Sequence, residues 1–134
     1  MVEQALVTEV VELLGEGWDF AVLWASLVGD EGSAGIQVRL QDGSVRNDRP
    51  SEMLLGLLSE HKRAAYEADD GTWLSLQISI AGRDRYETRC SNFELLDWVP
   101  VPVAEEFKRE LAVHPRADDE VPGWMRQLLG SGEQ

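Results

Sequence analysis

Three observations predict an α+β fold. Strand-like stretches are joined by short turn signals, helical periodicity is confined to blocks between those hairpins, and the clearest strands alternate apolar and polar residues. The expected architecture is an antiparallel sheet of four to five strands in two hairpins, packed with N-terminal, central and C-terminal helices. Residues 1–130 are expected to form one α+β domain, with a frayed tail at 131–134. A chain of 134 residues, 43% of them apolar, is long and apolar enough to bury a core.

Residues 2–14 read as an amphipathic helix. Val2, Leu6, Val10 and Leu13 recur at helical spacing, with Glu9 and Glu12 on the other side. Gly15 and Gly17 end it. Over 18–28 the period becomes two. Trp18, Phe20, Val22 and Trp24 alternate with Ala21, Leu23 and Ala25, and the apolar character of both faces predicts a central strand covered on two sides. GDEGS at 29–33 reads as a loop. Residues 34–41 alternate cleanly, and Asp42-Gly43 is a hairpin turn that predicts a short third strand near 44–46.

Arg49-Pro50-Ser51-Glu52 marks a helix start with Ser51 as N-cap. That helix carries Leu54, Leu57, Leu58, His61 and Ala65 on one side and ends before Asp69-Asp70-Gly71. Leu74, Leu76, Ile78 and Ile80 then define a strand, Ala81 to Asp84 turns the chain, and 85–90 returns with Tyr86, Thr88 and Cys90 inward. Pro100 and Pro102 break the next stretch. Helices are expected over 103–113 and around Trp124 to Leu129, joined by the polar linker HPRADDEVPG.

Charge excludes one function class. There are 25 acidic side chains against 12 basic ones, a net charge of −13, so direct nucleic-acid binding is disfavoured by phosphate repulsion. Two readings of the acidity compete: solubility of the chain itself, and a complementary basic protein partner. No stretch of about 18 apolar residues suggests a membrane span. The N-terminus lacks the features of a secretory signal, and the single cysteine, Cys90, suits a reducing cytoplasm.

The search for chemistry finds no catalytic signature. GDEGSAG lacks the lysine of a phosphate loop, and no nucleophile elbow is present. His61, His114 and Cys90 have no zinc-type spacing. Cys90 reads as a small buried side chain and His61 as a packed or rim residue. The acidic runs Asp69-Asp70 and Asp118-Asp119-Glu120 lack the alternating pattern of a calcium loop. No catalytic residue, cofactor or metal is therefore expected, and the chain reads as a binding protein and not an enzyme. Trp98 and Trp124, in the irregular C-terminal third, are the candidate aromatic anchors.

The order of elements, the stretch EGWDFAVLWASLVGD and especially GTWLSLQISIAGRDRYETRCSNFEL at 71–95 resemble the YezG-type immunity proteins of bacterial polymorphic toxin systems. The likeness spans about residues 1–98. Beyond it the Arg-rich, aromatic-rich segment usual in that family is replaced, with Trp98 as its one remnant. The resemblance implies a cytoplasmic protein that binds and neutralises a cognate toxin domain, a nuclease or deaminase, by occluding a basic cleft. The acids in the expected loops, Asp30, Glu31, Asp42, Asp69, Asp70, Asp118, Asp119 and Glu120, would then supply contacts together with Trp98 or Trp124. Two alternatives compete. One is an acidic adaptor or secretion chaperone without a toxin partner. The other is a small enzyme with dispersed carboxylates converging in a cleft.

Overall fold

The computed structural model describes residues 2–29, 31–67, 71–96 and 102–131, with the backbone alone at 31, 118, 130 and 131. Helix α1 (Val2–Leu14) is followed by strands β1 (Trp18–Val28), β2 (Glu31–Leu40) and β3 (Val45–Asp48). Helix α2 (Glu52–Ala64) leads to β4 (Ser75–Gly82) and β5 (Arg85–Ser91). Helix α3 (Ala104–Val113), a 3-10 turn (Asp118–Glu120) and helix α4 (Gly123–Ser131) complete the order. The five strands form one sheet in the order β3-β2-β1-β4-β5, and every pairing is antiparallel. The fold is thus the α+β class that the hairpin signals predict.

β1 is central because its inward residues have no polar character to spend. Ala21, Leu23 and Ala25 are fully buried, as are Leu6, Val7 and Val10 of α1, Leu54 and Leu58 of α2, and Ile78 and Ile80 of β4. These residues make the main core, with both helices on one face of the sheet. The two helices start and stop where the sequence says. Gly15 takes φ 65° after α1, a left-handed conformation that glycine adopts at little cost. Ser51 caps α2, its hydroxyl accepting the Leu54 N–H at 3.1 Å. The same hydroxyl donates to Glu9 Oε1 at 3.3 Å and so ties α2 to α1.

A second, smaller core gathers Val28, Leu74, Phe107 and Met125, with Leu95, Leu111, Val121 and Trp124 packed around it. It fastens α3 and α4 to the end of the sheet where β1 turns into β2. Among the described residues the cover that the sequence predicts on both faces of β1 is therefore uneven. Phe20, Val22 and Trp24 on the other face are half-buried, while Ser26 and Val28 are buried at the end next to α3. Gly35, opposite Trp24 in β2, accommodates the indole; a Cβ there would lie 2.7 Å from Trp24 Cζ2.

Three expectations need correction. Residues 31–33, read as loop, belong to β2, because the register from Trp18 to Val28 continues to Glu31. Ser131, assigned to the frayed tail, closes α4, and residues 132–134 lie outside the described residues. Cys90 is exposed, not buried. It pairs with Leu76 and shares the helix side of the sheet, but it sits on the edge strand. There the first turn of α1 covers Tyr86 and Thr88 through Gln4 and Glu3, one step short of Cys90.

Candidate functional site

Among the described residues, the expected partner-binding acids occupy both ends of the sheet. Asp42 lies in the β2–β3 turn, where its Oδ1 accepts the Ser44 hydroxyl at 2.6 Å and the Ser44 N–H at 2.9 Å. Those bonds hold the exposed carboxyl below its ordinary pKa, the hydroxyl having the larger effect. The neighbouring Gln41 N–H bonds Gly17 O, which places this turn at the end of β1 where the strand begins. Asp118, Asp119 and Glu120 form the 3-10 turn at the other end. Arg116 fixes it there by donating to Glu120 O at 3.2 Å and to Thr72 O at 2.8 Å. The eleven residues of β1 separate the two positions by roughly 35 Å. Glu31 opens β2 at that second end. Asp119 is exposed and Glu120 half-buried.

Asp30, Asp69, Asp70 and Trp98 lie outside the described residues. Trp124 is half-buried in the second core. Its indole N–H donates to Phe93 O at 2.8 Å, and its ring meets Phe107 edge-on at 5.5 Å. The residue anchors α4 to the fold before any partner arrives.

What periodicity reading misses lies under the second end. Lys62, 5% exposed, and Glu110, 1% exposed, face each other across α2 and α3 at 3.0 Å. Lys62 Nζ also donates to Leu27 O and Trp73 O, both at 2.6 Å, so its three N–H bonds have three acceptors. Glu110 Oε1 additionally accepts the Gly29 N–H at 3.1 Å. Burial pushes the Lys62 ammonium below the ordinary lysine pKa, and Glu110 pulls it back up. The other carboxylate oxygen, Oε2, lies 3.4 Å from His114 Nδ1 without a hydrogen bond, and both atoms are buried. Burial lowers the His114 pKa, against the pull of Glu110. Tyr66 stacks obliquely on His114 at 5.4 Å and donates its hydroxyl to Pro115 O at 2.8 Å. A signal for this cluster is present in the sequence: Leu54, Leu58 and Lys62 share one helical stripe, as do Glu106, Glu110 and His114. Opposite charges at core-facing positions of two helices point to a buried pair.

Two further titratable groups, His61 and Cys90, lie near Glu3. His61 Nδ1 accepts the Trp73 indole N–H at 3.0 Å, and Nε2 lies 4.0 Å from Glu3. Burial lowers the His61 pKa while Glu3 opposes it. The Cys90 thiol is raised by burial and by Glu3, which leaves it a poor thiolate. Among the described residues no three of His, Cys, Asp and Glu converge as metal ligands. No described helix is long and apolar enough to cross a membrane. No protein-family model matches the chain, and no curated protein matches it.

Proposed function

We propose that this chain is a cytoplasmic immunity protein that binds a cognate toxin domain and blocks its basic, nucleic-acid-binding cleft. The observation that carries the reading is the balance of charge. Arg39, Arg46, Lys62, Arg83, Arg89, Lys108 and Arg109 each lie within 4.0 Å of one of the chain's own carboxylates. Arg116 and Arg126 are spent on backbone carbonyls. Each such pair takes one acid with one base, so the pairing leaves the formal net charge of −13 in place and the chain strongly acidic. Such a surface accelerates encounter with a basic protein and rejects nucleic acid.

The separation of the acidic turns bears on which surface the proposed contact uses. A cleft-blocking contact uses one end of the sheet, and the 3-10 turn at Asp118–Glu120 is the stronger candidate, because Arg116 fixes its backbone. Asp42 belongs to a different surface.

The test is to look for a polymorphic-toxin domain in the gene neighbourhood and co-express it with this chain, read by growth rescue and co-purification. Rescue with a stoichiometric complex supports immunity by sequestration. Toxicity with no complex removes the proposal. The paired change Asp118→Lys and Asp119→Lys is expected to slow association and flatten its dependence on ionic strength, and an unchanged on-rate removes the 3-10 turn from the interface.

A further inference from the structure

A cavity of about 430 Å3 opens beside the Lys62–Glu110–His114 cluster, between the β1–β2 hairpin and the facing ends of α2 and α3. Its walls are of two kinds. Leu27 and Ala34 of the sheet, Leu55 of α2 and Val113 of α3 are apolar, and Leu55 and Val113 remain 44% and 67% exposed at its rim. Exposed aliphatic side chains beside a concavity form a surface that gains from being covered. The polar groups are Ser33, Ser59, Lys62, Arg63 and His114.

The state of those polar groups decides the ligand chemistry. Lys62 is committed, with its three N–H bonds used and its charge balanced by Glu110. Ser33, Ser59 and Arg63 are different: among the described residues none of their side chains has a hydrogen-bond or ion-pair partner. One free guanidinium and two free hydroxyls thus border an apolar concavity, in a protein that pairs most of its other cations. Ligand sites have this composition, mostly apolar with a few convergent polar groups. A guanidinium fork matches a carboxylate in two-pronged geometry, and hydroxyls donate to the same oxygens. A dianion such as phosphate fits less well, since one unpaired cation stands against a net charge of −13.

We propose that this cavity binds a carboxylate carried on a short apolar stem, with the anion on Arg63, Ser33 and Ser59 and the stem on Leu27, Leu55 and Val113. The proposal is independent of the immunity reading. Two sources present that chemistry: a free small organic acid, and the carboxyl terminus of a peptide ending in an apolar residue.

The experiment is an amide NMR titration of the full chain with hexanoate, hexylammonium and a short peptide ending in leucine, the last as free acid and as amide. Hexanoate or the free-acid peptide is expected to shift the Gly32, Ser33, Ser59 and Arg63 amides saturably. Hexylammonium and the amidated peptide are expected to leave them unsaturated. That order is the reverse of what the whole-protein charge favours, so it isolates the local site. Saturation by hexanoate assigns the site to small acids; saturation by the free-acid peptide alone assigns it to a chain terminus. Arg63→Gln, at an exposed position, is expected to keep the fold and weaken binding about tenfold, the size of one lost charge-assisted hydrogen bond. Saturation by neither acid, equal response to hexylammonium, or unchanged affinity in Arg63→Gln overturns the proposal.

Discussion

Truncating Glu110 to alanine leaves the Lys62 ammonium buried against two backbone carbonyls with no counter-charge, and leaves the Gly29 N–H without its acceptor. Removing one partner of a buried pair costs about 3–5 kcal/mol, because the remaining charge is uncompensated. A domain of this kind has a total stability of about 5–15 kcal/mol, so the loss is a large fraction of it. The corresponding fall in Tm is roughly 10–20 °C. Glu110→Gln keeps an acceptor for Gly29 and is expected to lose less. The charge origin has a separate signature. Burial already lowers the Lys62 pKa and Glu110 opposes that shift. Without Glu110 the folded-state pKa falls further below the unfolded value. The unfolded chain then holds a proton that the folded chain lacks, so stability rises with pH between the two values. The limiting slope is about 1.4 kcal/mol per pH unit for one proton. Urea unfolding of the wild type, Glu110→Ala and Glu110→Gln from neutral to alkaline pH measures both effects. A loss below about 1 kcal/mol in Glu110→Ala, or an alkaline rise in stability that begins at the same pH as in the wild type, would refute the assignment of Glu110 as counter-charge to Lys62.

Three further outcomes follow from the same geometry. Ser51→Ala removes the cap on the Leu54 N–H and the bond to Glu9 and is expected to cost about 1 kcal/mol in chemical denaturation; an unchanged midpoint would count against the cap. Gly29→Ala and Gly43→Ala both force a side chain into positive φ, at 58° and 90°, which costs about 1–2 kcal/mol. Only at Gly29 does the new Cβ also meet the Glu106 carbonyl, so that variant is expected to be the less stable by thermal melt, and equal losses would remove the clash. His61 and His114 have folded pKa values lowered by burial from 6.5, so the unfolded chain takes up protons first as pH falls. Stability is expected to drop as pH falls through 6.5 and to level off below the folded values; His114→Gln should shallow that drop, and an unaltered profile would contradict it.

The two kinds of structural information divide along distance in the chain. Ser51 as a cap, Gly15 as a terminator, Asp42-Gly43 as a turn and the alternation from Leu74 to Ile80 are local facts. Each depends on backbone sterics or on side chains within a few residues, so the sequence alone determines them, and with them the hairpins and the α+β class. The surplus of carboxylates is likewise a sum over the chain and needs no coordinates. Tertiary structure decided which acids are neighbours. Asp42 and Asp118–Glu120 look equivalent as loop acids, yet β1 holds them at opposite ends of the sheet. It also decided the exposure of Cys90, since α1 covers Tyr86 and Thr88 on that edge strand and stops one step short of it. The pairing of Lys62 with Glu110 spans two helices that are distant in sequence, and it exists because a buried charge must find its counterpart wherever packing brings one within reach.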